Sequence, residues 1–138
     1  MYQTIILIGN LGSDPEMRYM ADGTAVTNFS MATNRKWTGG DGALKEEVTW
    51  FRVSVWGRQA EAVNEYLSKG RQVMVEGRLK PDPETGGPRL WTTQDGTMRA
   101  SFEVTANDVK FLSGGNSDGG HQAPAQSQAA QQEDDIPF

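Results

Sequence analysis

The chain contains no cysteine. Disulfides, thiol nucleophiles and cysteine-ligated zinc or iron–sulfur sites are therefore excluded. A single histidine, His121, rules out a His-pair metal site and gives a Ser-His-Asp enzyme little to stand on. No apolar run approaches the ~18 residues of a membrane-spanning helix. There is no glycine-rich loop ending in Gly-Lys-Ser or Gly-Lys-Thr to cradle a nucleotide phosphate. No pair of carboxylates stands in an arrangement suited to acid–base work, so the chain reads as a binder rather than an enzyme, with no cofactor. The opening MYQTIILIGN has neither a basic n-region nor a small-residue cleavage site, so no signal peptide is expected and the protein should stay in the cytoplasm. Apolar residues are also scarce, at 36%, while glycine is abundant at 16 of 138, so part of the chain is not expected to fold.

That part begins at Ser113. From there the sequence is mostly Gly, Ser, Gln, Ala and Asp, with one aromatic residue, Phe138. Such a composition buries too little apolar surface to offset chain entropy. Residues 113–132 are expected to form a flexible linker and 133–138 a separate acidic tip, leaving 1–112 as the single folded domain. The net charge of −5 divides unevenly between these parts: all 13 Lys and Arg lie in 1–112 beside 14 of the 18 acids, which leaves the domain at −1 and the tail strongly acidic. A nearly neutral domain can still present a basic face, because sidedness rather than the sum sets the local field.

Within 1–112 the apolar pattern predicts strands at 4–8, 25–33, 46–56, 72–79 and 98–112 and a helix at 58–69. The first strand reads as buried and ended by Gly9-Asn10. Gly70 is expected as the helix C′ residue, with Lys69 favourable at the negative end of the dipole. Residues 80–96 form a long turn-rich excursion. Three strands, a helix and two strands is the order of the OB-fold, a five-stranded Greek-key barrel with its helix between strands three and four. An SH3-like barrel or a small sandwich competes, and the position of the helix discriminates against them. The fold class is thus all-β, followed by a disordered C-terminal tail.

The third strand turns pattern into chemistry. Side chains alternate faces along a strand. Thr49, Phe51, Val53 and Val55 share the mostly apolar face that belongs in a core, which leaves Trp50, Arg52 and Trp56 on the opposite one. At strand rise the two indoles lie roughly 20 Å apart, a span for several splayed nucleotides rather than one small ligand. Trp37 and Trp91 fall in turn-rich ground with Arg35, Lys36 and Arg89 beside them. Indoles flanked by cations suit base stacking with phosphate neutralisation, in which every base offers a π-face and sequence matters little. The candidate stacking residues are Trp37, Trp50, Trp56 and Trp91; the candidate phosphate contacts are Arg35, Lys36, Arg52, Arg58, Lys69, Arg71 and Arg89. The same tryptophans could instead fill a core or a subunit interface, as large aromatics often do.

Several segments together resemble the bacterial single-stranded DNA-binding proteins of the homotetrameric type. They are Ile8-Gly9-Asn10-Leu11-Gly12 with Asp14-Pro15, Arg18-Tyr19-Met20, Phe29-Ser30-Met31-Ala32-Thr33, Thr49-Trp50-Phe51-Arg52-Val53, Trp56-Gly57-Arg58, Tyr66-Leu67-Ser68-Lys69-Gly70, Val75-Glu76-Gly77 and the end Asp134-Asp135-Ile136-Pro137-Phe138. The resemblance spans nearly the whole chain. It implies an OB-fold homotetramer that wraps single-stranded DNA in replication, recombination and repair, and so a nucleoid-associated protein. Family stacking positions fall on Trp37, Trp50, Trp56 (more often Phe there) and Trp91, and basic contacts on Arg58, Lys69 and Arg89. The sequence departs from the family in the Pro/Gly-rich stretch within 80–96, in Met74 where an aromatic is common, and in Phe51 where a polar ring is often found. Its linker is also shorter than in many relatives.

The tip has its own logic. Three acids precede Ile136, Pro137 and Phe138. Pro137 fixes φ and blocks a helix, while Phe138 offers a ring and a carboxylate to an Arg- or Lys-lined pocket. Asp134, Asp135, Ile136, Pro137 and Phe138 are the expected docking element for replication, recombination and repair enzymes. Two other readings of the whole chain stand beside single-stranded DNA binding: an RNA-binding OB module of cold-shock type, and an oligomerising scaffold whose indoles are interfacial.

Overall fold

The computed structural model describes residues 1–112. The predicted linker and tip, 113–132 and 133–138, lie outside the described residues. Seven strands and one helix follow in order: β1 Ile5–Leu11, β2 Glu16–Tyr19, β3 Ala25–Thr38, β4 Leu44–Trp56, α1 Arg58–Tyr66, β5 Gln72–Leu79, β6 Arg89–Thr92 and β7 Met98–Phe111. Five of them close on themselves. β1 pairs β5, β5 pairs β7, β7 pairs β4 in parallel, β4 pairs β3, and β3 returns to β1 through Asn10↔Ala32 and Leu11↔Met31. Closure removes sheet edges that would otherwise recruit other strands. This is the expected OB-fold barrel, with α1 between its third and fourth strands.

The interior is built by alternating residues of each strand, with β7 changing parity at the bulge where its pairing with β5 shifts between Glu76 and Gly77. Leu7 and Leu11, Phe29 and Met31, Val53 and Val55, Val73 and Val75, and Val104 and Val109 are all buried. Burying each such side chain contributes about 1.5–3 kcal/mol relative to exposure. The helix closes one end with Ala60, Val63 and Leu67. Thr27, fully buried, donates its hydroxyl to the Ala60 carbonyl at 2.6 Å and ties β3 to that helix. Closing the barrel also demands close backbone approach. A Cβ on Gly9 would collide with the Ala32 carbonyl, and one on Gly77 with that of Thr105. Among the described residues no helix is long and apolar enough to cross a membrane.

The structure corrects several sequence-based boundaries. β1 runs through Gly9-Asn10 to Leu11, and it is one-sided rather than buried, with Ile6 and Ile8 exposed. A short strand, β2, lies between the first two predicted strands, where none is expected, and pairs with β3 from Glu16↔Asn28 to Tyr19↔Ala25. β3 and β4 extend past the core as a protruding hairpin. It is held by Asn34 donating to Glu46 at 3.1 Å and by the Arg35–Glu47 ion pair at 3.1 Å. The helix stops at Tyr66, not residue 69, with Leu67 extended. The following backbone groups are already engaged. Lys69 N–H donates to the Asp14 carboxylate at 2.8 Å, and Gly70 N–H to the Leu11 carbonyl at 2.8 Å. Lys69 therefore lies beyond the helix, and no basic residue stands in the last helical turn. At the other end Gly57 caps the helix with φ 76°, a backbone conformation that side chains rarely adopt.

Candidate nucleic-acid interface

The division of β4 into two faces is as the sequence predicts. Val53 and Val55 point into the barrel, and Phe51 lies half-buried near its rim against Phe102, with ring centroids 5.9 Å apart. Trp50 and Trp56 stand on the outer face, 55% and 43% exposed. Strand register sets what lies beside them. Trp50 pairs with Ala32, Arg52 with Ser30, Ser54 with Asn28 and Trp56 with Val26. On the other side of β4, Arg52 faces Glu103 and Ser54 faces Thr105. Beneath Trp50 there is room only for glycine: a Cβ on Gly12 would strike the indole's six-membered ring.

Trp91 is not in a loop. It belongs to β6, which folds back along β7 through Arg89↔Ser101 and Trp91↔Arg99. This hairpin brings Arg89 and Trp91 over the barrel. Trp50, Arg52, Arg89 and Trp91 line one depression of about 230 Å³. A second, of about 600 Å³, is lined by Trp56, Arg18 and Lys80 and again by Arg52 and Arg89. The two shared arginines join them into one groove that runs from the Trp50–Trp91 pair to Trp56. Its floor is polar, with the Ser54 hydroxyl donating to Asn28 Oδ1 at 2.6 Å.

The groove is not uniformly cationic. Glu103, with its side chain only 13% exposed, lies 3.5 Å from Arg89 Nη1. Its Oε2 also accepts from the Ser101 hydroxyl at 3.3 Å. One acid thus holds one of the shared arginines, while neither Arg52, Arg18 nor Lys80 forms an ion pair among the described residues.

The remaining candidates lie elsewhere. Trp37 is in β3, not past its end, and pairs with Lys45 near the hairpin tip. It shares a face with Arg35, whose guanidinium sits 4.3 Å from the ring centroid, and that face is opposite to the one bearing Trp50. Lys36 is exposed on the Trp50 side of the hairpin, opposite Glu46. Arg58, Lys69 and Arg71 surround the helix and line neither depression. Arg58 opens α1 and is exposed, and the Arg71 Nε is buried without a hydrogen-bond partner. Arg18 and Lys80 are the groove residues that the sequence reading does not single out. Arg18 comes into place only through the β2–β3 pairing, and Lys80 through its N–H donating to the Glu103 carbonyl at 2.7 Å.

A closed five-stranded barrel with an aromatic and cationic groove across its outer strands defines an OB-fold of the kind that carries oligonucleotides or oligosaccharides. Comparison with known proteins narrows this class. The model of the single-strand binding protein family matches residues 2–112. A single-stranded DNA-binding protein of Wolinella succinogenes is 40% identical over 123 residues, which cover 88% of this chain and 72% of that protein. The solved Plasmodium falciparum SSB complex with ssDNA matches with a TM-score of 0.66 at 30% identity, over 81% of this chain and 96% of that one. The chain belongs to the single-strand binding protein family.

Proposed function

We propose that the chain binds single-stranded DNA with little sequence preference, stacking bases on Trp50, Trp56 and Trp91 and neutralising phosphates with Arg52, Arg89, Arg18 and Lys80. The observation that carries this reading is the groove itself: exposed indoles at both ends and two shared arginines between them. Family membership and the ssDNA complex of the Plasmodium falciparum relative support it. Stacking contributes about 1–3 kcal/mol per base and accepts any base, while the cations track the backbone. Trp37 with Arg35 forms a second platform on the far face of the hairpin, for a strand that passes Lys36 and turns around the hairpin edge. Arg58, Lys69 and Arg71 line neither depression and meet the DNA outside the groove.

The assembly is a homotetramer. Ile6 and Ile8, exposed on the outside of β1 with Met74 paired to Ile8, supply an apolar face for self-association. The protein works in replication, recombination and repair, in the cytoplasm and at the nucleoid. Its tip, Asp134 to Phe138, recruits enzymes of those processes; its acids and terminal apolar residues suit a cationic pocket with an apolar floor.

The deciding experiment is a titration of the full chain with dT oligomers of graded length, followed by tryptophan emission and by mass in solution. Strong quenching with a defined occluded length is expected. Emission unchanged at every length would overturn the proposal, and preference for the matching U oligomers in competition would point to RNA instead.

A further inference from the structure

Beyond Trp56 the outer face does not end. Ser54 on β4 is in register with Thr105 on β7, and Thr105 is in register with Arg78 on β5, so Asn28, Ser54, Thr105 and Arg78 form one row across four strands. Arg78 and Thr105 line a further depression of about 820 Å³ together with Tyr2, Gln3, Lys80 and Asn107. Lys80 and Pro81 line both this depression and the one around Trp56, so the two are continuous. The segment before β1 is held in place there. The Leu79 N–H donates to the Gln3 side-chain oxygen at 2.8 Å, and the Thr4 hydroxyl donates to the Gly77 carbonyl at 3.2 Å. Tyr2 is left 89% exposed, and Arg78 makes no ion pair among the described residues.

An exposed ring beside an unpaired guanidinium, at the open end of an aromatic and cationic groove, repeats the chemistry of the groove itself. We infer that the single-stranded DNA path continues from Trp56 over Thr105 to a further nucleotide subsite, with Tyr2 as its stacking platform and Arg78 as its phosphate contact. From Ser54 to Arg78 is two strand spacings, about 10 Å, in the direction of the path. That is room for about one further nucleotide. The inference rests on the proposed single-stranded DNA binding and extends it to residues outside the groove.

The test compares the full chain with Arg78→Ala, Arg78→Lys, Tyr2→Ala and Tyr2→Phe, each titrated with dT oligomers of graded length at several salt concentrations. These side chains are exposed, so the variants fold. For oligomers too short to pass Trp56, all five proteins bind alike. For longer ones, Arg78→Ala makes the dependence of log K on log salt shallower by about 0.7, and Arg78→Lys restores it. Tyr2→Ala weakens the longer oligomers by about 5-fold or more, and Tyr2→Phe does not. If both alanine variants match the parent chain at every length, the subsite does not exist even though the groove binds. If the parent chain itself fails to respond to dT, the failure lies in the proposed function.

Discussion

Replacing Glu103 with Gln keeps the shape of a mostly buried side chain and deletes one negative charge from the middle of the groove. Four cations line the two depressions: Arg18, Arg52, Lys80 and Arg89. Each phosphate neutralised on a single strand contributes about 0.7 to the slope of log K against log salt. For a dT oligomer short enough to stay within the groove, all four cations free would give a slope per protomer of about −2.8, an affinity loss of about 50-fold between 50 and 200 mM salt. Glu103 already neutralises Arg89 at 3.5 Å, so binding to that arginine exchanges one anion for another and releases no counterion. Three cations then count, giving a slope of about −2.1 and a loss of about 18-fold over the same range. Glu103→Gln is therefore expected to bind dT oligomers more tightly at low salt and to steepen the slope by about 0.7. The assay is tryptophan quenching by one dT oligomer at several salt concentrations, for both proteins. An unchanged slope would show that Arg89 does not meet a phosphate, and a weaker complex at low salt would show that Glu103 serves the DNA directly.

Three other outcomes can be checked. Trp50→Ala should weaken dT binding by about 1–3 kcal/mol, the worth of one stacked base, and reduce the maximal quench; a loss of a few tenths would move the platform elsewhere. Deleting 134–138 should leave DNA affinity unchanged or higher while abolishing capture of repair and replication enzymes, and retained capture would end the role assigned to the tip. Gly9→Ala forces a methyl onto the Ala32 carbonyl where the barrel closes, so thermal or urea unfolding should show a loss of about 1–3 kcal/mol.

What the sequence revealed and what it hid follow one rule. Where a strand lines the core and is polar outside, period-two alternation marks it, and for β4 that was enough to place Trp50 and Trp56 outside and Val53 and Val55 inside; β1 escapes the rule because its outward residues Ile6 and Ile8 are apolar too. Where a strand leaves the core the signal vanishes. The outer halves of β3 and β4 are held by pairs such as Arg35 with Glu47, so Trp37 reads as loop although it is paired. β2 is four residues long with only Met17 partly covered, and β6 is exposed throughout, so neither carries an apolar rhythm. The site shows the same division. Arg52 was legible because it shares a face with the indoles. Arg89 was legible only by its closeness to Trp91 in the chain. Arg18 and Lys80 reach the groove by tertiary pairing, which no local pattern encodes, whereas Arg58, Lys69 and Arg71 are near the motifs in sequence yet line neither depression.

Gly12 also bears on how Trp50 signals. Its backbone abuts the outer edge of the six-membered ring, so the indole cannot swing that way, while about half of it stays open to a visiting base. The dimming at this position should therefore record the arrival of a base on a ring already in place, with no contribution from the ring swinging to meet it.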